Sequence, residues 1–129
     1  MSRIILIFLL AAVSSNAMAE WAKFGTVIDG NITFYADPTT IRKNGEMVRM
    51  WVLQDYLTAQ SGRHYLSAKS QSEYDCKKKY VRPISISLHS GNMGSGEIIE
   101  ISTARDDAWI PVPPDTMFEN LWKFACDKK

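Results

Sequence analysis

Apolar and polar residues alternate with a period of two through most of this 129-residue chain, and the period changes only at its two ends. Residues 84–89 alternate most cleanly. Ile84, Ile86 and Leu88 point one way, and Ser85, Ser87 and His89 the other, which predicts a strand with one wet face over 80–89. Residues 65–76 alternate as well, with Leu66, Ala68, Tyr74 and Cys76 on one side and Ser67, Lys69, Gln71, Glu73 and Asp75 on the other. Residues 46–57 are apolar on both sets: Val48, Met50 and Val52 on one, Met47, Trp51 and Leu53 on the other. Such a strand is central and covered on both sides, and this segment is the longest strand candidate.

Shorter strands are predicted over 21–28, 32–35 and 97–103. Asp29-Gly30-Asn31 and Asn44-Gly45 are tight-turn signals, and Asp37-Pro38-Thr39-Thr40 starts a further turn. Residues 91–96 read as a glycine-rich loop. Pro83 lacks an N–H, so it belongs at a strand start or on an edge.

At the C-terminal end the period becomes helical. Thr116-Met-Phe-Glu119 is a capping box, and Phe118, Leu121, Trp122 and Ala125 then fall on one helical stripe, with Pro113-Pro114 setting the entry. The expected fold class is α+β: a mainly antiparallel sheet with a C-terminal helix packed on one face.

At the N-terminal end the pattern is that of a secretory leader. A positive start (Met1-Ser-Arg3), an apolar run from Ile4 to Val13 and small residues flanking Met18 precede Glu20. The run is too short to cross a bilayer, which takes about 20 apolar residues. The expectation is a signal peptide over 1–19, cut before Glu20, with one domain over 20–129; an uncut signal anchor is the alternative. No cysteine lies near Ala19, so a lipid anchor is not indicated, and the product is expected in the periplasm, at the cell surface or in the medium.

Removing the leader takes away Arg3 and leaves acidic and basic side chains balanced. That argues against nucleic acid as an electrostatic partner. The two cysteines, Cys76 and Cys126, read as a disulfide in an exported chain, with two free thiols as the alternative. Their spacing does not make a metal-ligand set. A disulfide would pin the helix end to a strand end.

Familiar catalytic motifs are absent: no G-x-S-x-G, H-E-x-x-H or P-loop occurs, and the glycines of 91–96 precede a strand instead of a helix. His64 and His89 lack ligand spacing and read as surface residues, and Met50, Met93 and Met117 read as packing residues. The strongest charge feature is Lys77-Lys78-Lys79 with Arg82, a candidate partner-binding patch set against the acidic residues Glu97, Glu100, Asp106 and Asp107. Four tryptophans (Trp21, Trp51, Trp109 and Trp122) exceed what one sheet and one helix bury, which leaves an apolar face for a homodimer or another partner.

The order of segments resembles the surface-adhesin protein E family of exported bacterial domains. The resemblance rests on Tyr35-Ala-Asp-Pro, Thr40-Ile-Arg-Lys-Asn-Gly45 and Val48-Arg-Met-Trp-Val-Leu-Gln-Asp-Tyr56. It continues through Ser67-Ala-Lys-Ser-Gln-Ser-Glu-Tyr-Asp-Cys76, Ser90-Gly-Asn-Met-Gly-Ser-Gly96, Trp109-Ile-Pro-Val-Pro-Pro and Leu121-Trp-Lys-Phe-Ala-Cys126. It implies an antiparallel sheet with a C-terminal helix, a Cys76–Cys126 disulfide, dimers, and an adhesin role toward host or matrix proteins. It supplies no catalytic residue and no cofactor. The expected function is therefore an exported, non-catalytic binding protein. A periplasmic binder of a small ligand, haem or lipid-like, is the alternative, and an enzyme of unrecognised type comes last.

Overall fold

The period-two segments pair in the order in which they occur. In the computed structural model, which describes residues 20–60, 62 and 64–127, strands β1 (Ala22–Val27), β2 (Ile32–Asn44), β3 (Met47–Tyr56), β4 (Ser67–Asp75), β5 (Tyr80–His89) and β6 (Ile98–Thr103) form one antiparallel meander. The two-residue strand β7 (Ile110–Pro111) pairs with β5, and helix α1 (Met117–Asp127) ends the chain. The leader expected over 1–19 lies outside the described residues.

Register decides what each face carries. Ala36, Val52, Ser70, Ile86 and Ser102 stand side by side across β2 to β6, so they share a face. On it, Phe34, Ala36, Val48, Met50, Val52 and Tyr74 meet Leu121 and Ala125 of α1 to form the core. Met50 and Ala36 are fully buried there. On the opposite face Arg49, Glu73 and Arg82 stand in register, and Glu73 holds both guanidinium groups, at 3.2 Å to Arg49 and 2.8 Å to Arg82.

Leu53 also points to that opposite face, yet it is fully buried. The cover comes from residues 90–96, which fold back over the sheet. Ser67 Oγ donates to the Gly91 carbonyl at 2.6 Å and accepts from the Gly94 N–H at 2.9 Å. Asp55 Oδ1 accepts from the Met93 N–H at 2.7 Å and from Asn92 Nδ2 at 3.0 Å. The glycine spacing has a steric cause at Gly96: its φ is +77°, and a Cβ there would lie 2.9 Å from the Gly91 nitrogen.

One expectation is corrected, one is narrowed and one element is new. Residues 37–40 do not end a strand: β2 continues through them, at 13 residues the longest strand. The turn chemistry is spent on a bulge, where the register with β3 slips between Asp37 and Arg42. Asp37 Oδ1 accepts from the Thr39 N–H at 2.9 Å, and Thr40 Oγ1 accepts the Trp51 N–H at 3.0 Å in place of a backbone carbonyl. Pro83 takes the second of its two expected places: it sits inside β5, where the register with β4 shifts, on a stretch whose other edge is open. It is tolerated because β6 pairs no further than Ser85 and β7 pairs only with Tyr80 and Val81. The strand β7 has no counterpart in the sequence pattern: two residues, one of them a proline, carry no periodic signal.

The helix is held at both ends. Thr116 Oγ1 receives the Glu119 N–H at 3.4 Å, as the capping box predicts, while the Glu119 carboxylate reaches back to the Asp115 N–H at 3.2 Å, one residue earlier than the motif requires. At the other end Cys126 is bonded to Cys76, just past β4, and Trp122 Nε1 donates to the Asp75 carbonyl at 3.0 Å.

The bridge spans 50 residues of sequence, a loop whose closure is worth about 4 kcal/mol in the chain-entropy account. The double substitution Cys76→Ser with Cys126→Ser is expected to lower the unfolding free energy by about that amount. Urea denaturation of the two forms checks this; equal midpoints contradict it.

Candidate functional site

One helix cannot roof this sheet. Six strands about 4.8 Å apart span about 24 Å, and a helix about 10 Å across covers half of that. Helix α1 packs on β2, β3 and β4 and leaves β5 and β6 open on the same face. The result is a groove of about 420 Å³ beside the helix. Phe118 and Leu121 of α1 form one wall, and Ile110 with residues 102–104 forms the other. The floor is Ser70, Ser72, Tyr74, Val81 and Ile86. Small serines on β4, placed where a larger side chain would fill the space, give the groove its depth.

The lining holds no charged side chain, histidine or cysteine. Its ionisable group is Tyr74, and burial pushes that phenol well above its ordinary value, with Ser72 opposing as a hydrogen-bond partner. Serines without a neighbouring base are not activated nucleophiles. What the groove offers is shape and apolar contact. Phe118, half exposed at 48%, stands at the rim, 6.1 Å edge-to-face from Phe34. Across the groove Ile110 is 53% exposed, while Ile98 and Ile101 of the edge strand β6, in register with His89 and Ser87, are exposed on the opposite face.

The basic cluster read from sequence is divided by the fold. Asp75 Oδ1 accepts the N–H groups of Lys77 and Lys78 at 3.1 and 3.0 Å, and this tight turn leaves both side chains exposed. Lys79 turns toward α1, where its ammonium pairs with Glu119 and lies 5.4 Å above the Trp122 ring. Arg82 goes to the opposite face, paired with Glu73 and stacked 5.4 Å from the Trp109 ring. Two of the four cations are therefore structural, and Lys77 and Lys78 remain as the solvent-facing pair. Of the acidic residues opposed to them, Asp106 approaches Arg82 at 3.7 Å and Asp107 pairs with Arg105 at 3.1 Å.

The candidate ligands are dispersed. His64 lies in the loop after β3, and His89 is 4% exposed on the face away from the groove, not on a wet surface as its alternation suggests. The loop over residues 90–96 is what covers it. Met50 is in the core, Met93 is in that loop and Met117 packs at the start of α1. Among the described residues, no group of three or more His, Cys, Asp or Glu is placed to hold a metal ion.

Two groups make stability depend on acid. Burial, and after it the nearby Lys69, lowers the pKa of His89, whose Nδ1 has no hydrogen-bond partner. Below about pH 6.5 the unfolded chain takes up a proton that the folded chain refuses, so stability falls as the pH drops through that value. The hydrogen bond from Lys79, and then the Asp115 N–H, lowers the pKa of Glu119. Its contribution is full above about pH 4.3 and is lost as the pH falls through the lower folded-state value. Unfolding midpoints measured from pH 7 to pH 3 are expected to decline in two limbs. Replacing His89 by Gln flattens the upper limb and Glu119→Gln the lower; a profile unchanged by both contradicts this assignment.

The family model for Surface-adhesin protein E matches residues 21–127. A search of the curated proteins found no match. Among solved structures, protein E of Haemophilus influenzae in crystal form II superposes with a TM-score of 0.57 at 15% identity, covering 81% of this chain and 87% of that one. Its selenomethionine form gives 0.57 at 16% identity, with 81% and 85% covered. Protein E from non-typeable Haemophilus influenzae gives 0.51 at 14% identity, with 85% and 86% covered. At these identities the structures establish a shared fold. The family match spans the meander, the 90–96 loop and the disulfide-bonded helix alike, and the chain belongs to the surface-adhesin protein E family.

Proposed function

We propose that this chain is an exported, non-catalytic, adhesin-like protein that recognises another protein, and that the groove beside α1 is where recognition occurs. The observation that carries this reading is a 420 Å³ apolar groove that holds no base beside its serines and opens onto an unpaired strand edge. Groove and edge are continuous, because Ser102 and Thr103 of β6 line the one and belong to the other. An extended segment of a protein partner fits that arrangement: its backbone pairs with β6, and an apolar side chain enters beside Phe118. Lys77 and Lys78 add a positive element at the far end of β4, suited to steering an acidic partner.

A second reading is favoured by the groove's volume, which lies in the range of small-molecule sites. It is a lipid-like ligand held without ionic contacts. Haem fits less well, since neither histidine lines the groove.

Selection of a displayed random-peptide library on the purified protein tests the first reading. Enriched peptides are expected to alternate apolar and polar residues. Their affinity should fall about tenfold or more with Phe118→Ser or Ile110→Ser, an anchor in a pocket being worth that much. Lys77→Gln with Lys78→Gln should slow association more than it speeds dissociation. Enriched peptides indifferent to both groove substitutions contradict the groove. Native mass spectrometry of the exported protein addresses the second reading: retained extra mass of lipid size supports it. Light scattering that shows a dimer closed through β6 would assign the edge to a second copy of the chain instead of a foreign partner.

A further inference from the structure

The face opposite the groove holds a buried carboxylate with no side-chain cation in contact among the described residues. Asp37 is 2% exposed, and among the described residues no lysine, arginine or histidine side chain forms an ion pair with it. A buried charge without a partner is costly. One of its oxygens is occupied: Oδ1 accepts from the Thr39 N–H at 2.9 Å and from the Thr39 hydroxyl at 2.6 Å. The other, Oδ2, accepts from one group among the described residues, the backbone nitrogen of Glu20 at 3.1 Å.

Glu20 is also the residue that follows the small-x-small pattern of Ala17-Met18-Ala19. We propose that Asp37 is an α-ammonium site whose ligand is the chain's own N-terminus, created when the leader is cut between Ala19 and Glu20. This rests on the reading of 1–19 as a cleaved signal peptide. In the cut, water adds across the Ala19–Glu20 amide: the Ala19 carbonyl carbon leaves as a carboxylate, and the Glu20 nitrogen takes up protons to become an ammonium. The bond broken is C–N and the bond formed is C–O, with no net change in charge. The change at Asp37 is local. A neutral N–H with one donor becomes a cation with three, 3.1 Å from Oδ2.

The surroundings favour such a pair. Asp37 opens on a small cavity of about 180 Å³ that it shares with Trp21, Thr40, Trp51 and Lys69. The two indoles line the site with low-dielectric surface, which strengthens the attraction of opposite charges. The other charged groups nearby are Lys69 on β4, Arg42, which donates to the Thr39 and Ile41 carbonyls, and the exposed carboxylate of Glu20 itself. The pair also sits where it has mechanical effect. Ala22 is the first residue of edge strand β1 and pairs with Ala36, next to Asp37. Processing therefore strengthens the hold of the open end of β1 on β2, because a contact that is a neutral hydrogen bond in the precursor becomes an ion pair in the mature chain.

The full-length chain is exported and purified, and the N-terminus of the product is read by intact mass. A second version carries Gly-Ser inserted between Ala19 and Glu20, so that processing leaves the Glu20 nitrogen as an amide. At pH 7 the natural mature chain is expected to have an unfolding equilibrium constant about tenfold smaller than the inserted one, an ion pair left incomplete in the interior being costly. An α-amine ordinarily titrates near 7.7–8.0, and the pair raises this value, so the advantage is full below about pH 7.7 and vanishes as the pH rises past the raised value. Asp37→Asn should abolish the difference. Should that variant not fold, acetylation of the mature α-amine should match the effect of the insertion.

Equal stability of the two chains, or an advantage that persists at pH 11 or after acetylation, overturns the proposal. A mature mass that begins elsewhere than Glu20 overturns the processing reading itself. A chain made to begin at Glu20 by specific proteolysis then tests the contact separately, with the same pH profile expected and a flat one against it.

Discussion

Everything on the groove face depends on how one short helix is fastened to a wide sheet. Helix α1 is 11 residues long, and its buried contribution to the core is mainly Leu121 and Ala125. That is too little apolar surface to hold a helix in one place. The fastening is concentrated at the end of β4. Asp75 gives its carbonyl to the Trp122 indole and its carboxylate to the turn over 77–78, Cys76 bonds Cys126, and Lys79 pairs with Glu119 at the other end of the helix. Of the five consecutive positions 75 to 79, three thus contact α1 directly and the two between them form the turn. The covalent bond converts a weak docking into a fixed one, and by fixing the helix over β2 to β4 it leaves β5 and β6 uncovered.

That division of the sheet links fold to function. A second helix, or larger residues than Ser70 and Ser72 on β4, would close the groove and complete a core. Instead the serine floor, the tethered wall and the free edge of β6 remain as one surface. The opposite face is treated differently. Its charges are tied into the Arg49–Glu73–Arg82 row, its apolar residue Leu53 is covered by the 90–96 loop, and its bulge encloses Asp37. The centre of one face is thus closed by polar networks and a loop, and the other keeps an apolar groove, the feature on which the proposed recognition of a partner rests.

Much of the meander was legible because it follows from local pattern. Alternation placed β4, β5 and β6, turn dipeptides separated β1 from β2 and β2 from β3, and the cysteine pair anticipated the staple. The illegible parts are those set by register between distant strands. Asp37-Pro38-Thr39-Thr40 has the chemistry of a turn, and only the partner strand decides that it makes a bulge. Lys79 and Arg82 belong to one basic cluster in sequence, but the turn before β5 aims Lys79 at α1 and the strand carries Arg82 to the opposite face, where Glu119 and Glu73 neutralise them. His89 alternates as a wet-face residue and is buried because a loop folds over it. The groove has no sequence signal of its own beyond the mismatch between six strands and one helix, which forecast an uncovered face without locating it.

The most direct measurement of the central claim, that the bridge at the end of β4 is what holds the groove wall in place, is amide hydrogen exchange before and after selective reduction of Cys76–Cys126. The amides of α1 are expected to lose protection first and most, while the central strands β3 and β4 keep theirs. Protection of α1 that survives reduction, or a loss spread evenly over helix and sheet, would contradict it.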